Sequence, residues 1–280
     1  MTKRREADIR GAGQLAAGLT VVLAALLATF APAAEPQSVA ETEPPGQGVT
    51  GPVPEPSAEA EPGLLVPSHW AVYNASVRGI PVRLGLRLEP LEDGFYQYRT
   101  WAEPRGLLGF IDRELTETSI LTVANGRVVP VSYRKRDEFG DRDSAMQFDA
   151  EAGVVRIEYR DRKSEVDWEP GIYDLQSLRV ALSQDLLAGE LGDVYRVVDD
   201  RGRVDTVAVT VAASEPLDTR LGRLETLRLE YYSERRDRLF RLWIAPAMDG
   251  ALVALEQYEA DRLRGRLEIV EYQRLGAAGP

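Results

Sequence analysis

Apolar and polar residues alternate with period two in segment after segment from His69 onward. The segment 82–89 reads VRLGLRLE, and 207–211, 240–244 and 267–269 show the same alternation. Such a pattern is typical of strands with one buried and one wet face. The strands are separated by short turn signals: Asp93-Gly94, Asn125-Gly126, Ala152-Gly153, Arg201-Gly202 and Asp249-Gly250. Because such pairs suit tight hairpin turns, the sequence predicts a mainly β domain built as an antiparallel meander.

One segment, at about 174–188, breaks the alternation and predicts an α-helix. Its leucines fall on one helical face, Asp174 is a candidate N-cap and Gly189 a candidate C-terminal stop. A helix with a single apolar stripe needs a surface to cover. We therefore predict a long, curved antiparallel sheet, an open half-barrel, with this helix packed across its concave face.

The N-terminus has the layout of an export signal. Four basic residues among the first ten precede an uncharged run at 11–30, and small residues follow at 31–34. This order predicts a secretory signal peptide at 1–33, cleaved after Ala33, and a periplasmic protein. The alternative is a retained inner-membrane anchor, since 11–30 is about long enough to cross a bilayer.

A Pro- and Glu-rich segment follows at 34–66. It contains no aromatic and no basic residue, so it offers little apolar surface to offset the entropy of ordering, and we predict a disordered tether. The folded domain is then expected at 67–275, with a flexible tail at 276–280.

Charge and cysteine content restrict the classes of function. Without residues 1–33 the chain keeps 30 basic and 43 acidic side chains, a net charge of −13. A surface of that average charge does not attract nucleic acids or anionic lipid headgroups. The chain has no cysteine, which rules out disulfides, thiol catalysis and cysteine-ligated metals.

No motif in the chain predicts catalysis, a metal site or a cofactor. His69 is the single histidine, and its place at the domain edge favours packing over a Ser-His-Asp site. The run Asp137–Asp143 lacks the ligand spacing of a calcium loop and reads as a hairpin end. Carboxylates at 161–169 lie near Trp168, but an acidic β domain provides such neighbours by chance, so a glycan hydrolase is the weakest of the hypotheses.

Several short blocks, in order, resemble the secreted bacterial family known as domain of unknown function 3108 (DUF3108). They are Trp70–Tyr73, Gly79–Val82, Leu84-Gly85, Gly94–Tyr96, Arg105–Leu107, Phe148-Asp149, Tyr173–Leu178 and Leu242–Pro246. The resemblance covers about residues 68–275. It implies a periplasmic setting and a fold of the lipoprotein-carrier type (LolA/LolB-like), an open β half-barrel closed by helices, but it implies no reaction.

Large apolar side chains provide the remaining candidate site. We predict that a groove between sheet and helix is lined by Trp70, Tyr73, Trp101, Phe110, Leu178, Leu182, Leu242 and Trp243. The leading hypothesis is a non-enzymatic periplasmic protein that binds a lipid or another hydrophobic envelope component there. The alternative is an envelope scaffold or adaptor with a filled core, which binds a partner protein through its surface.

Overall fold

The fold of the chain is one long β-sheet crossed by a helix. The computed structural model describes residues 63–77, 79–104, 115–138 and 142–276. The strands of these residues are β1 (His69–Val77), β2 (Ile80–Pro90), β3 (Tyr96–Pro104), β4 (Leu115–Ala124), β5 (Arg127–Asp137), β6 (Ser144–Asp149), β7 (Val154–Tyr159), β8 (Arg162–Asp167), β9 (Ile172–Tyr173), β10 (Val194–Val198), β11 (Val204–Thr219), β12 (Gly222–Ser233), β13 (Arg238–Ala245), β14 (Ala251–Glu259) and β15 (Arg262–Arg274). The helix α1 (Leu175–Ala188) follows β9.

The strand order confirms the predicted meander. It runs β8-β7-β6-β5-β4-β3-β2-β1-β15-β14-β13-β12-β11-β10-β9 in a single sheet. Neighbouring strands are antiparallel, except for the short parallel pair β9 and β10. Two arms therefore extend from the central pair β1 and β15, and the edge strands β8 and β9 are consecutive in the chain.

Side chains, rather than backbone pairing, bring the two arms together. A small apolar cluster contains Tyr133 and Ile157 from the first arm, with Ile172 and Val198 from the second. The turn between β10 and β11 also contacts the first arm, because the Ser144 hydroxyl donates to its backbone at 3.2 Å. The sheet thus curves far enough to enclose a core while its edges stay unpaired with each other.

Helix α1 begins and ends where the sequence predicts. The Asp174 carboxylate accepts from the backbone N–H groups of Gln176 and Ser177 at 2.8 and 3.0 Å, which satisfies two of the free donors of the first turn. Gly189 ends the helix with φ 72°, a left-handed conformation that glycine adopts without strain. The concave face of the sheet and α1 share one large core cluster.

Residues 63–66, which the sequence assigns to the end of the tether, are part of the fold. Val66 is buried, and the backbone N–H of Leu65 donates to Gln184 of α1 at 2.7 Å. The predicted signal peptide, its cleavage after Ala33 and the tether up to residue 62 lie outside the described residues. No helix within the described ranges has the length and apolarity needed to cross a bilayer.

Candidate functional site

Four of the eight predicted groove residues lie on the inner side of the fold. Tyr73 on β1, Leu242 on β13, and Leu178 and Leu182 on α1 are all buried in the large core cluster. The Tyr73 hydroxyl donates to the Leu252 carbonyl at 2.9 Å, so the polar end of this side chain is hydrogen-bonded within the protein. Burial raises the pKa of this phenol well above its usual range.

Trp70 and Trp101, in contrast, are only partly buried and lie on the opposite, outer face of the sheet. Trp70 and Trp101 alternate with inward-facing neighbours on β1 and β3, and Trp101 covers Gly85, where a Cβ atom would come within 2.1 Å of the indole. Trp243 on β13 is buried and belongs to the large core cluster, and its indole N–H donates to Glu215 at 2.8 Å. Phe110 lies outside the described residues.

The space between sheet and helix is nearly full at these positions. Two gaps lined by Tyr73, Tyr98 and Arg179 hold about 20 Å³ each, close to the room that one water molecule needs. The described inner positions are packed as in an ordinary core, and an interior groove lined by all eight residues stays a prediction.

A much larger concavity opens at one end of the barrel. It has a volume of about 1200 Å³, and we call it the end groove. Its lining is mostly apolar: Leu64, Val66, Pro67, Ser68, Pro90, Leu91, Glu92, Phe95, Tyr96, Ile120, Val131 and Leu275. Small-molecule sites commonly have about 300–1,000 Å³, so the end groove has room for a lipid-sized ligand.

Three structural features shape the end groove. Residues 64–68 form one wall and are fixed by the hydrogen bonds of Leu65 to Gln184, at 2.7 Å, and of Leu64 to the Tyr96 hydroxyl, at 3.3 Å. The turn between β2 and β3 forms a second wall and is closed by a bond of 2.8 Å from the Leu91 N–H to the Phe95 carbonyl. Irregular pairing of β4 and β5, next to Ile120, contributes the third wall. Sequence patterns did not indicate this site, because its walls come from segments that are distant in the chain.

A second feature is a group of charged and polar side chains beneath the first turn of α1. We call it the buried polar cluster: Glu117, Ser119, Lys135, Asp174, Gln176 and Asp200. The Lys135 ammonium donates to Asp200 at 3.2 Å, and the Gln176 amide donates to Glu117. Ser119 donates to the Asp174 carboxylate at 2.9 Å. These bonds connect β4, β5, α1 and the turn between β10 and β11.

Electrostatics favour a charged lysine within the buried polar cluster. Burial lowers the pKa of Lys135, but the carboxylates of Asp200, Glu117 and Asp137 outweigh this effect and leave the pKa above its usual value. Burial raises the pKa of Glu117, against the lowering influence of Lys135. One oxygen each of Glu117 and Asp200 has no hydrogen-bond partner among the described residues. The arrangement is suited to holding elements together rather than to proton transfer with solvent.

The other candidates from the sequence occupy structural positions. His69 is buried, its Nδ1 lies 2.8 Å from the Pro67 carbonyl, and burial lowers its pKa. The Asp143 carboxylate accepts from the Asp137 N–H at 2.8 Å, a bond that joins the ends of β5 and β6. Glu165 and Glu169 are exposed and contact Arg156 and Arg196. In the part of the chain that is described, no three histidine or acidic side chains are placed to hold a metal ion.

Comparison with known proteins identifies the family. The model of the family described as "Protein of unknown function (DUF3108)" matches residues 73–261. The chain belongs to the DUF3108 family. This confirms the resemblance found in the sequence, and the match spans the DUF3108 domain from β1 to the end of β14. No curated protein matches the chain.

Solved structures similar to this DUF3108 protein come from three bacteria. A beta-barrel-like protein of the DUF1849 family from Brucella abortus is 12% identical, with a TM-score of 0.49, covering 76% of this chain and 99% of that one. A protein from Bacteroides fragilis, described as exported and YmcC-like in fold, is 10% identical, with a TM-score of 0.36 and coverages of 76% and 97%. A protein from Parabacteroides distasonis, described as a lipoprotein, is 10% identical, with a TM-score of 0.35 and coverages of 75% and 99%.

Proposed function

We propose that this DUF3108 protein is exported to the periplasm and binds the acyl chain of a lipid in the end groove, without catalysing a reaction. The observation that carries the proposal is the groove itself, an open concavity of about 1200 Å³ with a mostly apolar lining. Concave sites with a mostly apolar lining and a few polar groups are typical of small-molecule binding sites. The proposal keeps the ligand class that the sequence suggests and places it at the end of the barrel.

Rigid walls support the proposal. A groove held open by hydrogen bonds of the backbone to Gln184 and Tyr96 requires little ordering when a ligand enters, so more of the apolar burial contributes to affinity. The described lining has one carboxylate, Glu92, and polar groups at Ser68 and Tyr96. An acyl chain, which needs apolar contact along its length, fits this lining.

The export signal supports a periplasmic location. Basic residues at 3–10 are followed by an uncharged run at 11–30 and by small residues at 31–34. This is the order of regions in a secretory signal peptide. In the periplasm a domain that shields an acyl chain from water would act as a lipid carrier or a lipid sensor.

A neutral lipid and two matched leucine substitutions test the proposal. Leu91 lines the end groove and is 43% exposed, whereas Leu263, at the far end of β15 from Leu275, is 50% exposed. Monooleoylglycerol should bind the wild-type protein, as measured by native mass spectrometry and isothermal titration calorimetry. Leu91→Asp should weaken binding about tenfold or more, because a charged group then faces the acyl chain. Leu263→Asp should bind as the wild type does.

Two results would overturn the proposal. The first is that the wild-type protein does not bind monooleoylglycerol. The second is that Leu91→Asp and Leu263→Asp bind it equally well while both retain the wild-type circular dichroism spectrum. In the second case the lipid lies elsewhere on the protein.

A further inference from the structure

A continuous row of apolar side chains crosses the outer face of the second arm. We call it the apolar row, and its members lie directly opposite one another on the six strands β10 to β15: Val194, Ala208, Tyr232, Leu239, Tyr258 and Leu263. Val194, Tyr232 and Leu263 are 59%, 43% and 50% exposed, and Leu239 and Tyr258 are half-buried. Single exposed apolar residues are common on protein surfaces, but six that adjoin one another form a strip that a second surface can cover.

The two tyrosines of the apolar row are already hydrogen-bonded within the chain. The Tyr232 hydroxyl donates to Asp237 at 2.6 Å, and the Tyr258 hydroxyl donates to Glu256 at 2.7 Å. The Arg241 guanidinium also lies 4.9 Å from the centre of the Tyr258 ring and holds that ring in place. Because both hydroxyls have partners, another apolar surface can cover these side chains without leaving a polar group unpaired.

A charged row runs beside the apolar row on the same face. Its members on β12 to β15 alternate in sign: Glu230, Arg241, Glu256 and Arg266. Within the chain Arg241 contacts Glu230 at 2.9 Å, and Arg266 contacts Glu256 at 3.8 Å. The four charges sum to zero. This face therefore does not repel a second copy of itself, although the chain after residue 33 has a net charge of −13.

Both rows are complementary to themselves when their order is reversed. From β12 to β15 the apolar row alternates tyrosine with leucine, and the charged row alternates glutamate with arginine. A two-fold axis that runs parallel to the strands, between β13 and β14, places β12 of one copy opposite β15 of the other. Tyr232 then faces Leu263 of the partner subunit, and Arg241 faces Glu256 of the partner subunit. Every tyrosine meets a leucine, and every glutamate meets an arginine.

We infer that the protein forms a symmetric dimer in which the apolar rows of two copies are in contact. A two-fold contact requires a surface that is complementary to itself, and the alternation of both rows meets this requirement. Because the outer face is convex across the strands, the two copies approach most closely near the axis, and the contact stays smaller than the about 800 Å² per partner of a standard interface. We therefore expect a weak dimer, with a Kd of about 10–100 µM.

Sedimentation equilibrium of the purified protein, over a concentration series that spans the expected Kd, tests the dimer. The average mass of the wild-type protein should rise toward that of two chains. Leu263→Asp should weaken dimerisation about tenfold or more, because a charge is then placed against Tyr232 of the partner subunit. Leu91→Asp makes the same change at an equally accessible leucine of the end groove and should dimerise as the wild type does.

A single introduced cysteine tests how the two copies are oriented, because the chain has no cysteine of its own. Leu239 lies half a strand spacing from the proposed axis, and with about 10 Å between the two sheets its two copies are about 11 Å apart. Val194 lies on the same row, three and a half strand spacings from the axis, so its two copies are about 34 Å apart. A short bis-maleimide should therefore link Leu239→Cys into dimers and should not link Val194→Cys.

Three results would overturn the inference. The first is that the wild-type protein stays monomeric over the whole series. The second is that Leu263→Asp dimerises as tightly as the wild type, which would place the contact on another face. The third is that Val194→Cys is linked as fully as Leu239→Cys, or that Leu239→Cys is not linked at all. The dimer is independent of lipid binding in the end groove, so its failure leaves the proposed function standing, and the reverse also holds.

Discussion

Replacing Lys135 by methionine tests whether the buried polar cluster joins α1 to the sheet as an ion-paired unit. Lys135 is 1% exposed, and its ammonium lies 3.2 Å from the Asp200 carboxylate. Methionine keeps an unbranched side chain and removes the charge. The variant therefore leaves Glu117 and Asp200 buried with no counterion from this position, while the packing volume changes little.

The expected loss of stability is large for one substitution. Two unit charges 3.2 Å apart interact by about 5 kcal/mol at an effective dielectric constant of 20, and breaking a buried pair typically costs about 3–5 kcal/mol. We expect Lys135→Met to lower the free energy of unfolding by about 3–5 kcal/mol at pH 7. Urea denaturation followed by tryptophan fluorescence measures this difference.

The loss of stability in Lys135→Met should be larger at pH 7 than at pH 5. Burial raises the pKa of Glu117 in the folded protein, and Lys135 opposes that rise. Without Lys135 the folded pKa moves further above the unfolded value of 4.5. An acid whose folded pKa is raised favours folding when it is protonated, so the variant should regain stability as the pH falls from 7 toward 5.

A double-mutant cycle provides the control. Lys135→Met/Asp200→Asn removes both charges of the pair and should be more stable than Lys135→Met alone. The reasoning is refuted if Lys135→Met lies within about 1 kcal/mol of the wild type at pH 7, the size of an exposed ion pair. It is also refuted if the loss is the same at pH 5 and pH 7.

Two further substitutions test how α1 and the outer face are built. Asp174→Ala should lower the free energy of unfolding by about 1–2 kcal/mol, because the N-cap is lost. Asp174→Asn keeps an acceptor oxygen and should lower it by less. Equal losses of the two variants in chemical denaturation would contradict the capping role. Gly85→Ala should cost about 1–3 kcal/mol, because its Cβ would come within 2.1 Å of Trp101. In the control Gly192→Ala the added Cβ would have its nearest neighbour at 3.6 Å, so this variant should melt near the wild-type temperature. Equal melting temperatures of Gly85→Ala and Gly192→Ala would refute the close contact between Gly85 and Trp101.

The elements of the fold follow from local signals in the sequence. The alternation at 82–89 lies in β2, and Asn125-Gly126 forms a turn with φ values of 53° and 75°. Asp174 and Gly189 bound α1 as predicted. These features depend on neighbours within a few residues, so backbone conformational preferences and the period of apolar side chains are sufficient to predict them.

The arrangement of the sites depends on contacts between distant parts of the chain. The same alternation that identifies a strand leaves open which face is inside, so Trp70 and Trp101 could not be assigned to the outer face from the sequence. The end groove joins Leu64 to Val131 and Leu275, and the buried pair of Lys135 and Asp200 spans 65 positions. These contacts depend on how the sheet curves and on where its two arms meet, and the one-dimensional pattern does not contain that information.

The proposed site of the acyl chain is tested most directly by a crystal structure of the protein with a monoacylglycerol whose acyl chain carries bromine. Anomalous scattering locates the bromine without reference to the protein atoms. The proposed function predicts a bromine peak in the end groove, between Leu91, Ile120 and Leu275. A peak beneath α1 beside Leu178, or a structure in which the lipid lies on another surface, would contradict it.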